Sequence, residues 1–363
     1  MPIFKFDRFA PEPAKPGALP TPNAAQTAVL LCNLGTPDAP TTAAVRTFLS
    51  EFLGDRRVVE IPRLVWWFIL NGIILRFRPA KSAAKYASIW TPQGSPLRYW
   101  TEKQALLLHG HLGQRGHQVA VRAAMRYGAG SIATQLAQLK LEGFTRVLLL
   151  PAYPQYSATT TASLWDAVYA WAGNTRFIPE LRFINSYASN AGYIRALANS
   201  VRKHWAANGR SELLVLSFHG IPVQAVERGD PYQAECLQTA QALALELGLG
   251  TDDYKVTFQS RLGRAQWLQP YTEPTLIALA KAGLARADVI CPGFNCDGLE
   301  TLEEINQEAR EAFLAAGGKA FHYIPCLNDN LDWIAALADL CEQHLGGWPT
   351  RQPQSSSAAR SGL

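Results

Sequence analysis

Residues 213–223 read LLVLSFHGIPV. Four apolar residues run without interruption into Ser217 and Phe218, and then the chain reaches a histidine. A short continuous apolar run bounded by turn signals suits a strand buried on both faces of a parallel sheet. Gly220 and Pro222 turn the chain directly after His219. The strand therefore ends on an imidazole, and in open parallel sheets ligands sit beyond the carboxyl ends of the strands.

Working outward, runs of the same kind lie at 28–34, 118–125, 146–153, 254–260 and 287–294. Segments of helical length separate them, at 41–53, 95–114, 131–142, 159–172, 190–207, 231–247, 273–283 and 299–315. Buried strands joined by helices predict an α/β chain with doubly wound parallel sheets. The chain also reads as two halves. Each opens on a strand stopped by a polar group, a turn and a proline: CNLGTP in the first, SFHGIP in the second. Each later holds a second such strand end, LLLPAYPQYS and VICPGFNCDG. The expected division is an N-terminal arm at 1–25, a first Rossmann-like lobe at 26–175 and a second at 176–326. A C-terminal helix at 327–346 packs across the lobes, and a disordered tail follows at 347–363.

The chain has 363 residues, enough for two such lobes, and 48% of them are apolar. Lys and Arg number 34 against 29 Asp and Glu. That balance is too mild, with no basic stripe, to predict a nucleic-acid partner. The proline-broken start lacks the apolar core of a secretory signal. The cysteines are Cys32, Cys236, Cys291, Cys296, Cys326 and Cys341. Scattered thiols without such a signal predict a cytoplasmic protein. Cys291, Cys296, Cys326 and Cys341 match no common cluster spacing, so an iron–sulfur cofactor such as [2Fe–2S] is not expected.

LVWWFILNGIIL, residues 64–75, stands between Arg63 and the pair Arg76 and Arg78. Its 12 residues fall short of the ~20 that a membrane span needs. Two readings stay open. One is a buried core helix. The other is an apolar lip, within 62–79, that dips Trp66 and Trp67 into a bilayer interface, making the protein peripheral on the inner membrane face.

Unusual side chains collect at the expected strand ends: Asn33, then Tyr153, Gln155, Tyr156 and Ser157, then His219, then Phe294 and Asp297. A lone histidine is most often a satisfied core residue, but this company shifts His219 toward function. Neutral imidazole is a good ligand for ferrous iron, and it ordinarily titrates near pH ~6.5. Downstream, Glu300, Glu304 and Glu308 recur every four residues on one helix face. Such a row is also what the solvated side of an ordinary amphipathic helix shows. Its place beyond a strand end allows it to draw hydrated cations toward the same cleft. Arg78 and Arg126 are candidates to pair with ligand carboxylates, and Trp267 to stack on a flat ring. Each is more often structural.

Taken in order, NLGTP (33–37), GSPL (94–97), MRY (125–127), YPQYS (153–157), SFHGIP (217–222), FQSRLG (258–263) with Trp267 and Leu268, and PGF (292–294) leading through Asp297 to LETLEEI (299–305) resemble the ferrochelatases. The resemblance covers about residues 28–345. It implies two Rossmann-like lobes with a porphyrin between them, and insertion of ferrous iron into protoporphyrin IX to give protohaem, with Fe2+ as a substrate and no resident cofactor. It implies that His219 and Glu300 share the tasks of metal ligand and base, and that Glu304 and Glu308 continue as an acidic path for the metal. Along that helix it implies a π-type widening. Leu34, Arg78, Arg126, Tyr127, Tyr156, Ser157, Trp267, Phe294 and Asp297 are the implied porphyrin contacts. Many relatives carry histidine or cysteine after the aspartate matching Asp297, whereas this chain has Gly298. Leu34 stands where relatives acting on coproporphyrin often have tyrosine, which favours protoporphyrin. Coproporphyrin III chelation and a non-catalytic haem or iron carrier are the alternatives.

Overall fold

A computed structural model describes residues 26–263 and 265–351. The arm expected at 1–25 and the tail from 352 onward lie outside the described residues.

Among the described residues, eight strands form two four-stranded parallel sheets. They are β1 (Gln26–Gly35), β2 (Val119–Tyr127), β3 (Phe144–Pro151), β4 (Glu180–Phe183), β5 (Leu214–His219), β6 (Tyr254–Gln259), β7 (Arg286–Ile290) and β8 (Ala320–Ile324). The strand orders are β2-β1-β3-β4 and β6-β5-β7-β8, so the two lobes repeat one topology. In β1, residues Ala28 to Cys32 are essentially inaccessible, as are Leu214 to Phe218 in β5. Burial on both faces explains why these runs are apolar without alternation.

β4 and β8 were not expected. Both are short edge strands with mixed composition, ELRF and AFHYI. An edge strand is half exposed, so it carries no continuous apolar run. β4 also corrects the expected division at 175/176. It pairs with β3, so the first sheet continues to Phe183. The crossover helix Ala191–Asn208 follows.

The last helix, Leu331–Leu345, touches both lobes. Trp333 lies among Tyr187 and Tyr193, with ring centroids 5.9 and 5.6 Å away. One core cluster runs from Leu31 and Leu150 of the first sheet through Trp333 and Leu337 to Leu216 and Phe218 of the second. The tail expected from 347 is ordered at its start. Trp348 is buried and donates its indole N–H to Glu180 at 2.6 Å, and Thr350 accepts the Gln118 N–H at 2.6 Å. The aromatic payload of Trp348 outweighs the polar composition around it.

The apolar lip is a helix, Arg63–Ile69, continued through a π turn, Leu70–Ile74, into the helix Leu75–Ile89. Residues 64–75 are buried on one side and exposed on the other. Trp66 is buried, and its indole donates to the Leu53 carbonyl at 2.6 Å, which corrects its assignment to a membrane-facing edge. Leu64, Val65, Trp67, Phe68 and Ile73 are more than half exposed. No helix among the described residues is long and apolar enough to cross a membrane.

Candidate active site

In the strand order of the second lobe, β5 lies between β6 and β7, and the chain winds in opposite directions on its two sides. The crevice at such a switch point opens beyond the carboxyl ends of β5 and β7. His219 is the last residue of β5, and the stretch from Cys291 to Glu300 follows β7. The His219 Nδ1 lies 2.6 Å from the Gly220 carbonyl. A carbonyl can only accept, so Nδ1 carries the proton, and a neutral ring keeps its free lone pair on Nε2. The sharp turn requires glycine at 220, since a Cβ there would stand 2.9 Å from the carbonyl oxygens of Gln259 and Ser260. Trp267 packs on the same glycine and donates its indole N–H to Leu262 O at 3.1 Å. The Phe294 ring sits 6.4 Å from the imidazole, centroid to centroid.

Gln259 is the register partner of His219. Its amide donates to the Glu300 carbonyl at 2.7 Å, while its oxygen accepts from Ser217 Oγ at 2.7 Å. The helix carrying Glu300 is thus fixed to the strand pair that ends on His219. Burial pushes the Glu300 carboxyl above the usual carboxylate range, and Glu304 adds to this, while the His219 imidazole opposes it. The two groups therefore lie near enough for each to act on the other's charge.

The helix starting at Leu299 widens into a π turn over Glu304–Ala309, where the Glu308 N–H reaches the Glu303 carbonyl at 2.9 Å. In a regular α-helix residues four apart drift by ~40° around the axis, and the wider turn reduces that drift. Glu300, Glu304 and Glu308 thus form a row. Ser260 holds Glu304 through its N–H at 2.7 Å and its hydroxyl at 2.5 Å. At the outer end Lys85 bridges Glu308 at 2.6 Å and the buried Glu303 at 2.9 Å.

A cleft opens beside Glu300. Leu34, Arg78, Tyr86, Ser95 and Leu97 are among the residues lining it. One wall is apolar, and Leu34 packs against the core of the lip.

Comparison with known proteins shows the family of the chain. The ferrochelatase family profile matches residues 26–345. The chain belongs to the ferrochelatase family. A ferrochelatase from Polaromonas sp. (strain JS666 / ATCC BAA-500) is 63% identical, with 97% of this chain and 96% of the relative aligned. One from Methylibium petroleiphilum is 61% identical over 97% of this chain and 96% of the relative. A solved structure described as SirB from Bacillus subtilis with Fe3+ is similar in fold, with a TM-score of 0.53 at 11% identity over 88% of this chain and 95% of that one. The two-lobed chelatase-like fold is therefore shared well beyond recognisable sequence.

Within this chain the expected porphyrin contacts divide. Leu34 and Arg78 line the cleft, and Trp267 and Phe294 lie beside His219. Arg126 and Tyr127 do neither. Arg126 pairs with Asp55 at 2.6 Å and donates to Ser163, and the buried Tyr127 hydroxyl donates to Asp55 at 2.8 Å. Both are held in a network with Asp55 and Ser163, and neither is among the residues lining the cleft. Asp297 is also buried, accepting from Tyr323 at 2.5 Å, Asn328 at 2.7 Å and Thr301 at 3.0 Å. It anchors the start of the Glu300 helix instead of facing the cleft. Ser157 donates to Asp230 at 3.0 Å, and the Tyr156 N–H donates to Glu235 at 2.7 Å. These two residues link the lobes.

Sequence reasoning missed Tyr86, Gln259, Ser260, Lys85 and Glu303. Gln259 and Ser260 fall inside the quoted FQSRLG block, and their position at a strand end was the available signal. Lys85 and Tyr86 sit in an ordinary helix whose meeting with the acidic row depends on tertiary packing.

Proposed function

We propose that this ferrochelatase-family enzyme inserts ferrous iron into protoporphyrin IX to form protohaem, with release of the two pyrrole protons. What supports this reading is a burial-shifted Glu300 carboxyl that lines the cleft, feels the charge of the His219 imidazole and stands at the inner end of an acidic row. A carboxyl with a raised pKa holds a proton more readily, as removal of pyrrole protons requires. The Nε2 lone pair of His219 suits the metal or the other proton. The walls of the cleft favour a buckled ring over a planar one if binding energy from the rest of the ring offsets the strain. Leu34 gives an apolar contact, and Arg78 is a cation for a propionate.

The acidic row is the proposed iron path, entered past Lys85. The exposed Leu64, Trp67, Phe68 and Ile73 support peripheral contact with a bilayer surface, from which a poorly soluble porphyrin is taken. No iron–sulfur cluster is needed in this scheme. All six cysteines are buried.

The test is anaerobic haem formation by the purified chain with iron(II) and either protoporphyrin IX or coproporphyrin III. Protohaem formation is expected. Turnover of coproporphyrin alone, or none with either porphyrin, overturns the reading.

A further inference from the structure

The second sheet has another cluster of metal-binding side chains, at the end away from His219. Asp288 of β7 and His322 of β8 are register partners, and Asp288 also faces Leu214 at the start of β5. His219 is five residues further along β5, about 17 Å at strand spacing. His204 comes from the helix Ala191–Asn208. Among the described residues, this is the one group of three or more His, Cys, Asp or Glu ligand atoms lying within 4.8 Å of one another.

We propose that His204 Nε2, His322 Nδ1 and Asp288 Oδ1 form a second divalent-metal site, selective for ions of the zinc and ferrous class. The three atoms are 3.2, 3.7 and 3.9 Å apart. A triangle of those sides has its centre about 2.1 Å from every corner, which is the length of a zinc–imidazole or zinc–carboxylate bond. One ion therefore fits with little movement. His204 and His322 are partly exposed, so water can complete the coordination.

The surroundings hold the ligands in place. Asp288 is fully buried, and its carboxylate accepts from Trp205 Nε1 at 2.9 Å and from Arg286 Nε and Nη2 at 2.9 and 3.1 Å. The second ring nitrogen of His204 faces the Asn208 amide at 3.3 Å. That amide nitrogen also donates to the His204 carbonyl at 3.0 Å. Arg286 offsets the Asp288 charge, so the site offers little to hard ions held by charge alone. Two imidazoles favour borderline transition metals over Mg2+ or Ca2+. Such an ion would join the helix Ala191–Asn208 to β7 and β8.

The active site also takes metal, so the experiment separates the two. Zn2+ and Co2+ binding is measured by equilibrium dialysis on the full chain carrying His219→Ala, with and without His322→Asn. Asparagine retains polarity and a similar size, and a matched melting curve without metal checks the fold. The His219→Ala chain is expected to bind one Zn2+ whose affinity falls at least about tenfold on adding His322→Asn. Its Co2+ form should show the visible band of a low-coordinate site, and Zn2+ should raise Tm only while His322 is present. Equal Zn2+ binding with and without His322, or none in the His219→Ala chain, would mean that the two imidazoles are only hydrogen-bonded to each other, and would overturn the proposal. If His322→Asn misfolds, His204→Gln in the same background gives the same two outcomes.

Discussion

Ser260 grips the carboxylate of Glu304 twice, through its backbone N–H at 2.7 Å and its hydroxyl at 2.5 Å, from a left-handed backbone conformation with φ of 58°. A non-glycine residue rarely adopts that conformation unless its surroundings impose it. Here the two hydrogen bonds aim the N–H and the hydroxyl at one carboxylate, and the preceding residue, Gln259, fixes the Glu300 carbonyl. A single turn of chain after β6 therefore sets two members of the acidic row.

Ser260→Ala keeps the backbone bond and removes the hydroxyl. A hydrogen bond to a charged group contributes about 1.5–3 kcal/mol, and each ~1.4 kcal/mol is tenfold. Steady-state assays should show kcat/KM for iron falling by about tenfold, with KM for the porphyrin unchanged. A change confined to the porphyrin would refute the role assigned to Glu304.

Glu300 gives a pH signature. Its folded pKa is raised, so between the ordinary value near ~4.3 and the raised one the folded state binds more protons than the unfolded state. Stability therefore falls as pH rises through that window. Glu300→Gln removes the ionisable group. Melting curves should show the variant above the parent at pH 7, and the difference should vanish near pH 4. Haem formation should fall by at least about a hundredfold, the scale of general acid–base catalysis.

Lys85 joins the lip helix to the acidic row through Glu303 and Glu308. Glu303 is buried, and burial raises its pKa while Lys85 holds it down. Lys85→Met leaves that carboxylate unpaired, at a cost of about 1–3 kcal/mol. Adding Glu303→Gln should restore most of the loss. Denaturant titration of the parent, both single variants and the double variant measures the coupling, and strictly additive effects would show that the pair is unimportant.

The sheets were legible because β1, β3 and β5 are buried on both faces and carry unbroken apolar runs. His219 was legible because Gly220 and Pro222 mark where such a run stops. The edge strands β4 and β8 were not, since their composition is that of a half-exposed segment. The resemblance to the ferrochelatases implies Arg126, Tyr127 and Asp297 as porphyrin contacts. Their true partners, Asp55, Ser163, Tyr323 and Asn328, are distant in sequence, and nothing local distinguishes a structural network from a binding one. Lys85 was invisible for the same reason.

Adjacent tryptophans in the lip supply the last contrast. Trp67 is 58% exposed and Phe68 61%, whereas Trp66 is 7% exposed and hydrogen-bonded to Leu53. Burying an aromatic side chain contributes about 1.5–3 kcal/mol, so removing two from a bilayer contact should weaken it by about a hundredfold or more. Co-sedimentation with phosphatidylglycerol vesicles should show that loss for Trp67→Ser/Phe68→Ser, with Tm unchanged. Trp66→Ser should instead lower Tm, because it opens a cavity and leaves the Leu53 carbonyl without its donor. Equal vesicle binding by the parent and the double variant would remove the membrane from the proposed route of the porphyrin and leave the lip as one wall of the cleft.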